Sequence, residues 1–498
     1  MAPLGITYDH FPAKDKKFVV VEGGAHFFRL CRPEFDDSQQ RDFDVAAFAL
    51  DVPHQELYTK TVVAGGTMDV IPTWRRWRHW PASIRHLKVF DSVVQLQGVQ
   101  RASAECHVSQ PAVTQAISKL EQQMGVALLQ RCARGTYPNE FGVIFRRRTQ
   151  RFFAQLEAAL LELGVPNAPV PLPRIAGRIS SSQLLSLISI VEHGSLVQAA
   201  RSLKMSQAWL QRAARDLERI LRRPLYAQTA SGIAATPAAA EFARRIKLAQ
   251  REIELGVDEV ETARGNSGGE IAIGAMRVAG SIMLASVVDE FASCYPKANI
   301  RILIGSPREM MRSLRCGDVD AVIGLLQDPD SSDLIQEPLG KMPYIVAARR
   351  GHPLVQRKSV TPEDLARFEW VVGSPEGGRR ARFDKLFAAV SKPLVRIEAS
   401  SLPTLRLLLA QSDRLTLLTS YELMCEEDTL TAIRFAPIEP VPWFGLTLRE
   451  NWLPTERQAR FMDLIQKRIV RSLMPTQESP RAAARRAPRR KKQALATP

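Results

Sequence analysis

What this 498-residue chain lacks narrows the possibilities first. Its six cysteines (Cys31, Cys106, Cys132, Cys294, Cys316, Cys425) are scattered and form no C-x-x-C pair. That spacing argues against a zinc site and a disulfide scaffold, and it fits a reducing cytoplasm. No apolar run reaches the roughly 18 residues a spanning helix needs, so no membrane segment is expected. The first twenty residues carry Asp9, Lys14, Asp15, Lys16 and Lys17 without an apolar core, unlike a secretory signal. The eight histidines include no metal-spaced pair, and His193 beside Gly194 reads as a helix end. Neither a metal nor a cofactor is expected. Apolar residues are not scarce: at 45% they exclude wholesale disorder. Positive charge is in excess, with 68 Lys/Arg against 52 Asp/Glu and a net +16. Such an excess implies a polyanionic partner if it clusters on the right elements.

The excess is unevenly placed. Residues 1–83 carry −1, 84–165 carry +4, 166–262 carry +4, and 263–474 carry only +3. The last segment, 475–498, carries +6; it is rich in Pro, Ala and Arg and reads as a disordered basic tail. It is either a solubilising terminus or a non-specific phosphate-binding arm.

Sliding the chain against itself by 97 residues exposes a duplication. Identities include Leu87/Leu184, Ala102/Ala199, Ser109/Ser206, Gln110/Gln207, Leu120/Leu217, Glu121/Glu218, Phe145/Phe242 and Arg148/Arg245. They are mostly residues that build a small helical core, so one fold occurs twice. Each copy reads as helix, helix, turn, helix, hairpin, long helix. In the first, Leu87, Phe90 and Val94 mark an amphipathic helix. Ser109 is placed as an N-cap with Pro111 in the first turn of the next helix. There Val113, Ile117, Leu120 and Met124 share one face, and Pro111, Thr114, Gln115 and Ser118 the opposite one, with Lys119 at its rim. In the second copy Leu210, Ala214, Leu217 and Leu221 form the core stripe. Its outer face carries Gln211, Arg212, Arg215 and Arg219. Two short helices with a polar outer face on the second make a helix-turn-helix, whose second helix reads base edges in the major groove. Arginine suits guanine and phosphate.

These segments resemble the winged helix-turn-helix of the LysR-type transcriptional regulators. FDSVVQLQGVQRASAECHVSQPAVTQAISKLEQQMGVALLQR carries the likeness once, and LISIVEHGSLVQAARSLKMSQAWLQRAARDLERILRRPLYAQTASGIAATPAA carries it again. The resemblance covers roughly residues 84–470. In the family the unit occurs once, so two copies are a departure. The resemblance implies DNA contact by Ser109, Gln110, Pro111, Thr114, Gln115, Ser118 and Lys119, and by Ser206, Gln207, Gln211, Arg212, Arg215 and Arg219. The second copy departs at Ala208, where proline is usual, and at Asp216, opposite Lys119; Trp209 is expected to pack against a neighbour. The first copy departs after its wing, with YPNEFG for a T-P-A-G-like turn that the second keeps as Thr236, Pro237, Ala238. Either copy could have lost DNA binding. A long helical pattern follows each wing, and in the family this helix pairs two subunits, so a homodimer or homotetramer is expected. The run 166–174 between the copies is expected to be extended.

From 268 to 470 strands and helices alternate, an α/β pattern with a parallel sheet. EIAIGAM, NIRILIG and DVDAVIGLL read as strands, with a helix stopped by Pro296 and another ending near Gly317. WVVGSP (370–375) is expected to begin a second α/β unit, to which LTLLTS (415–420) adds a strand. The order resembles the family's two-lobed effector domain, similar to periplasmic solute-binding proteins, with a small molecule between the lobes. By position the candidate contacts are Met276, Arg277, Ser281, Ser306, Ser374 at the crossover, Ser400 and Ser401. They favour an anion or a sugar-like ligand.

Two other signals are weaker. GNSGG (265–269) matches G-x-S-x-G but follows a helix and precedes a strand, the reverse of a nucleophile elbow; a flexible hinge is expected instead. FVVVEGGAHFFRLCRP resembles the last strand and histidine loop of an α/β-hydrolase with His26 in the base position, but no nucleophile elbow precedes it. Residues 1–83 are therefore expected to be a remnant, fused or disordered extension. The domains expected after it are winged helix-turn-helix units at 84–165 and 179–262, joined by a linker at 166–178, then a two-lobed α/β effector domain at 268–474 and the tail. The chain is expected to be a cytoplasmic, sequence-specific, non-enzymatic regulator that binds double-stranded promoter DNA under effector control, with no membrane partner. The rival readings are a solute-binding protein without a DNA role and a hydrolase using His26.

Overall fold

The computed structural model describes residues 83–165, 170–229, 232–266, 268–277, 280–326, 332–375 and 377–473, and the backbone of 18–23 and 26–31. In the N-terminal unit β1 (Phe18–Gly23) and β2 (His26–Cys31) pair antiparallel. Their side chains, His26 among them, lie outside the described residues, as do the rest of 1–82, residues 166–169 and the tail.

The duplication is visible element by element. The first copy runs α1 (Ile84–Leu96), α2 (Val99–Cys106), α3 (Gln110–Met124), β3 (Leu129–Cys132), β4 (Gly135–Pro138) and α4 (Glu140–Glu162). After a one-turn α5 (Leu172–Ala176) come α6 (Ser181–His193), α7 (Leu196–Leu203), α8 (Gln207–Leu221), β5 (Tyr226–Thr229), β6 (Gly232–Ala235) and α9 (Pro237–Ala263). Each element of the second copy begins 97 residues after its counterpart. The same capping chemistry recurs: Ser109 Oγ accepts the Ala112 N–H and Ser206 Oγ that of Trp209. So does a wing anchor. Glu121 Oε1 accepts the N–H groups of Leu128 (2.8 Å) and Leu129 (3.1 Å), and Glu218 Oε1 those of Leu225 (2.7 Å) and Tyr226 (3.2 Å). The first copy's unusual YPNEFG corner is a change of cap. Asn139 Oδ1 accepts the Gly142 N–H at 2.9 Å where Thr236 Oγ1 accepts that of Ala239 at 3.2 Å.

The run between the copies is not extended throughout. Leu172–Ala176 is helical because Pro171 and Pro173 sit at the helix start, where a missing N–H costs nothing, and Leu172, Ile175 and Ala176 are buried. Trp209 is half-buried against a small core of Ile190, Leu196, Leu203 and Leu210. The larger core is shared: Phe145, Phe152 and Leu156 of α4 belong to one cluster with Phe242, Ile246 and Ile253 of α9. Where α9 lies on α4 its Gly256 leaves the room, since a Cβ there would stand 3.0 Å from Arg148 Cβ.

The sheets that follow are mixed rather than wholly parallel. β7 (Glu270–Met276) pairs in parallel with β8 (Asn299–Gly305) and β9 (Ala321–Leu325), while α10 (Gly280–Cys294) and α11 (Pro307–Cys316) cross between them. β16 (Trp443–Arg449) then enters antiparallel to β9, and β10 (Leu334–Lys341) antiparallel to β16. The reason is the path: the chain leaves this lobe after β10, builds the second, and returns through β16. The second lobe begins at β11 (Tyr344–Arg349), well before WVVGSP. β11 lies between β14 (Thr416–Thr419) and β15 (Leu430–Ala432), antiparallel to both; β12 (Trp370–Val372) pairs in parallel with β13 (Val395–Glu398). Helices α12 (Pro362–Ala366), α13 (Gly378–Leu386), α14 (Leu402–Ala410) and α15 (Ser420–Cys425) cover this lobe, and α16 (Glu456–Leu473) packs back on the first. The fully buried Trp370 contacts the rings of Phe383 and Phe387, both at 5.3 Å, and donates Nε1–H to the Leu365 carbonyl. Ser374 thus sits after β12 inside the second lobe and not at the crossover. Nor do the glycines of 265–269 make a free hinge. A Cβ on Gly268 would come within 2.2 Å of the Lys297 carbonyl carbon, and Lys297 Nζ donates to the Gly265 carbonyl.

Two predictions follow from this packing. A Cβ on Gly445, in β16, would fall 2.2 Å from the Glu337 carbonyl oxygen, which is backbone and cannot swing away. Gly445→Ala is therefore expected to cost about 1–3 kcal/mol, read as a lower urea midpoint and faster amide exchange in β10 and β16. Glu121→Ala and Glu218→Ala each remove a charged acceptor from two N–H groups. Each is expected to cost about 1.5–3 kcal/mol, with lost protection at Leu128 or at Leu225 respectively.

Candidate nucleic-acid interface and effector cleft

On α3 the apolar stripe is buried, which fixes the rotation of the helix and turns its polar residues outward. Ser109, Gln110, Pro111, Thr114, Gln115, Ser118 and Lys119 are all exposed. On α8, Leu210, Ala214, Leu217 and Leu221 are buried while Ser206, Gln207, Arg212, Arg215 and Arg219 are exposed and Gln211 is half-exposed. The two faces differ in charge. Arg212 stands where the first copy has Gln115, and Arg215 where it has Ser118. Arg219 is held by Asp216 at 2.9 Å, whereas no carboxylate partner is seen for Arg212 or Arg215 among the described residues. A side chain without an internal partner keeps its donors for an outside acceptor.

Much of the remaining basic charge is spent inside the protein. Lys247 of α9 pairs with Glu192 (2.7 Å) and Asp318 (3.3 Å); burial pulls its ammonium down, but the two carboxylates hold it above its ordinary value. Arg244 donates to the Arg315 carbonyl, and Arg251 faces the buried Asp320 at 3.5 Å. These contacts tie α9 to the first lobe.

Between the lobes lies a cleft of about 560 Å³. Met276, Arg277, Ser306, Ser374 and Ser400 line it. Ser401 does not; it precedes α14 as an N-cap whose hydroxyl makes no cap bond. The side chain of Ser281 lies outside the described residues. The cleft also holds residues that sequence reasoning missed: Arg308, Glu309, Tyr344, Arg379 and Arg382. Arg379 is buried. One of its terminal nitrogens is held by Glu422 at 2.9 and 3.1 Å, and its Nε and Nη1 have no partner in the protein. Arg382 Nε is likewise unpartnered. The backbone adds to this positive field. The N-terminus of α13 opens at Gly377, which has no side chain to cap it, and that of α11 opens at Ser306. Against four arginines stands one carboxylate, Glu309. It is already engaged: hydrogen bonds from the Ser306 backbone and then its side chain hold Glu309 below its ordinary value. Burial pushes the Tyr344 phenol up to about 12, so it remains a neutral donor at physiological pH. Met276, Leu325 and Leu326 supply an apolar wall. The signal that could have found the arginines is GGRRARF. Residues i and i+3 of a helix share a face, so Arg379 and Arg382 point the same way.

Among the described residues no helix is long and apolar enough to cross a membrane. The profile of the LysR substrate binding domain matches residues 264–469. That of the bacterial regulatory helix-turn-helix protein, lysR family, matches twice, at 84–143 and 181–240. The HTH-type transcriptional regulator GalR of Pseudomonas putida is 30% identical over 350 residues, which span 69% of this chain and 86% of that protein. OxyR of Escherichia coli, a DNA-binding transcriptional dual regulator, is 25% identical over 289 residues, 57% of this chain and 93% of that one. Full-length LysG of Corynebacterium glutamicum, solved with bound effector Arg, superposes with a TM-score of 0.44 at 19% identity, covering 58% of this chain and 97% of that one. None of these matches supports a hydrolase or a free-standing solute-binding protein. The chain belongs to the LysR family of transcriptional regulators, and its helix-turn-helix and substrate-binding domains are those of that family.

Proposed function

We propose that both recognition helices of this regulator contact promoter DNA and that an organic anion bound in the cleft controls it. LysR-type regulators bind DNA and small-molecule effectors, so the open matters are which residues do each. The observation that carries the DNA reading is the outward polar face present in both copies. Gln110, Thr114 and Gln115 on α3 suit adenine edges and thymine methyls, and Arg212 and Arg215 on α8 suit guanine and phosphate. The unpartnered Arg379 edge, together with Arg382, Arg308 and two helix N-termini, favours a carboxylate on a partly apolar body. The protein acts in the cytoplasm and without catalysis. Chains associate as a homodimer or homotetramer, and the edge strand β8 supports this by exposing Ile302 and Ile304.

At fixed salt, a gel shift on the DNA upstream of its own gene is expected to show a sequence-preferring complex. Gln115→Ala and Arg212→Ala, made separately, should each lose about 1–3 kcal/mol of specificity. A substitution that leaves specificity untouched removes its helix from the reading. In a thermal-shift panel, small organic carboxylates should raise the melting temperature and the matching amines should not. Arg382→Gln should abolish most of that rise.

A further inference from the structure

We propose that the two helix-turn-helix copies of one chain form a covalently linked pseudodimer, so that a single chain presents two unlike recognition helices to one operator with two different half-sites. The second clause rests on the DNA-binding reading above; the first does not.

The contacts between the copies carry it. In a twofold interface, if residue i of one unit meets residue j of the other, then j of the first meets i of the second. Here the exchange is a shift of 97 residues. Arg148 of α4 donates to Glu259 of α9 through Nε at 2.8 Å and Nη2 at 2.7 Å. Shifting both ends gives Arg245 of α9 and Glu162 of α4, and that pair is also formed. The helix ends also meet in both halves, though not through matched residues. Arg264, just past α9, reaches the Met124 carbonyl at the end of α3, and Arg223, just past α8, reaches the Gly164 carbonyl beyond α4 at 3.0 Å. The apolar part of this seam is one core shared by α4 and α9. Two copies of one fold that meet through exchangeable contacts are related by an approximate twofold axis.

What differs is what each half offers to DNA. Thr114, Gln115, Ser118 and Lys119 of the first copy correspond to Gln211, Arg212, Arg215 and Asp216 of the second. A head built from two identical chains reads an inverted repeat. This head combines one amide- and hydroxyl-rich surface with a lysine at its rim and one arginine-bearing surface, which fits an operator with one A·T-leaning and one G-bearing half.

Two measurements on the full chain decide it. Glu162→Cys/Arg245→Cys is prepared as a mixture of ¹⁴N- and ¹⁵N-labelled protein, treated with a short bis-maleimide and analysed by mass, with each single variant as control for the native cysteines. Cross-links confined to one isotope overturn nothing and are expected; cross-links joining ¹⁴N to ¹⁵N chains through these two positions would refute the intrachain seam. On the bound operator, base-interference footprints of Gln115→Ala and Arg212→Ala should weaken opposite halves. Equal weakening of both halves by either variant overturns the assignment of one helix per half-site. A wild-type chain that binds no specific DNA overturns the reading of the head as a DNA-binding unit, and the cross-link still decides the pseudodimer.

Discussion

Of the contacts that join the head to the effector domain, the most completely satisfied is made by one guanidinium. Arg148 is fully buried, and every nitrogen it carries is occupied: Glu259 takes two, while Nη1 is divided between Glu252 at 2.8 Å and the Leu453 carbonyl at 2.9 Å. A buried cation of this kind is tolerated only when its hydrogen bonds are complete, and removing a partner typically costs about 3–5 kcal/mol. Three places meet here: α4 carries the guanidinium, and α9 and the turn that follows β16 supply its acceptors. The arrangement of those three is therefore a condition of burying Arg148 at all. Arg151, one turn on, repeats the pattern with Glu252 and the Asn451 carbonyl. Glu252 is thereby shared by two arginines, and α9 cannot shift along α4 without exposing one of them.

That constraint gives the cleft a physical route to the head. Pro442 lines the cleft, and β16 starts at the next residue. β16 runs between β9 and β10 to Arg449, which is buried and donates to the Leu314 and Val319 carbonyls. Two and four residues later come the carbonyls that Arg151 and Arg148 hold. One strand thus has the cleft at its beginning and the α4–α9 seam just past its end. A ligand shifts such an equilibrium only by as much as it prefers one lobe arrangement to another. Arg379 is placed for such a preference because it lines the cleft while Glu422 anchors it within the second lobe.

Much of this was legible in the sequence, and the residues show why. The repeat was readable because core positions at fixed spacing tolerate few residue types, and the shift of 97 carries over to every paired helix and strand. The outward faces of α3 and α8 followed from the same periodicity, since burying one stripe exposes the opposite one. The cleft was only half legible. Ser306 and Ser374 could be placed by position at strand ends, but Arg308, Arg379 and Arg382 lie in the first two turns of helices from separate lobes. Their convergence is a tertiary fact that local pattern does not encode. The mixed sheet was missed for a related reason: strand direction depends on a crossover, and β10 and β16 are brought together across more than a hundred residues of intervening second lobe. The α4–α9 pairing was hidden because an amphipathic helix reads the same whether its partner belongs to the same chain or another.

That ambiguity has energetic weight. Two heads on separate chains assemble at a population set by protomer concentration. Two heads on one chain, with only the short span between α4 and α6 to separate them, meet at the far higher effective concentration of a tethered pair. Their seam is formed whenever the chain is folded. Any association of two chains would then multiply complete heads, giving four recognition helices. Covalent linkage also removes the requirement that both halves share a sequence. Arg212 could replace the glutamine seen at Gln115, and Asp216 the lysine at Lys119, without changing the other half of the head. In a homodimer each such change would appear twice and demand a matching change in both half-sites. The divergence of the two outer faces over a preserved core is what this freedom permits: the copies carry the same net charge, +4 each, yet place it differently on the helices turned outward.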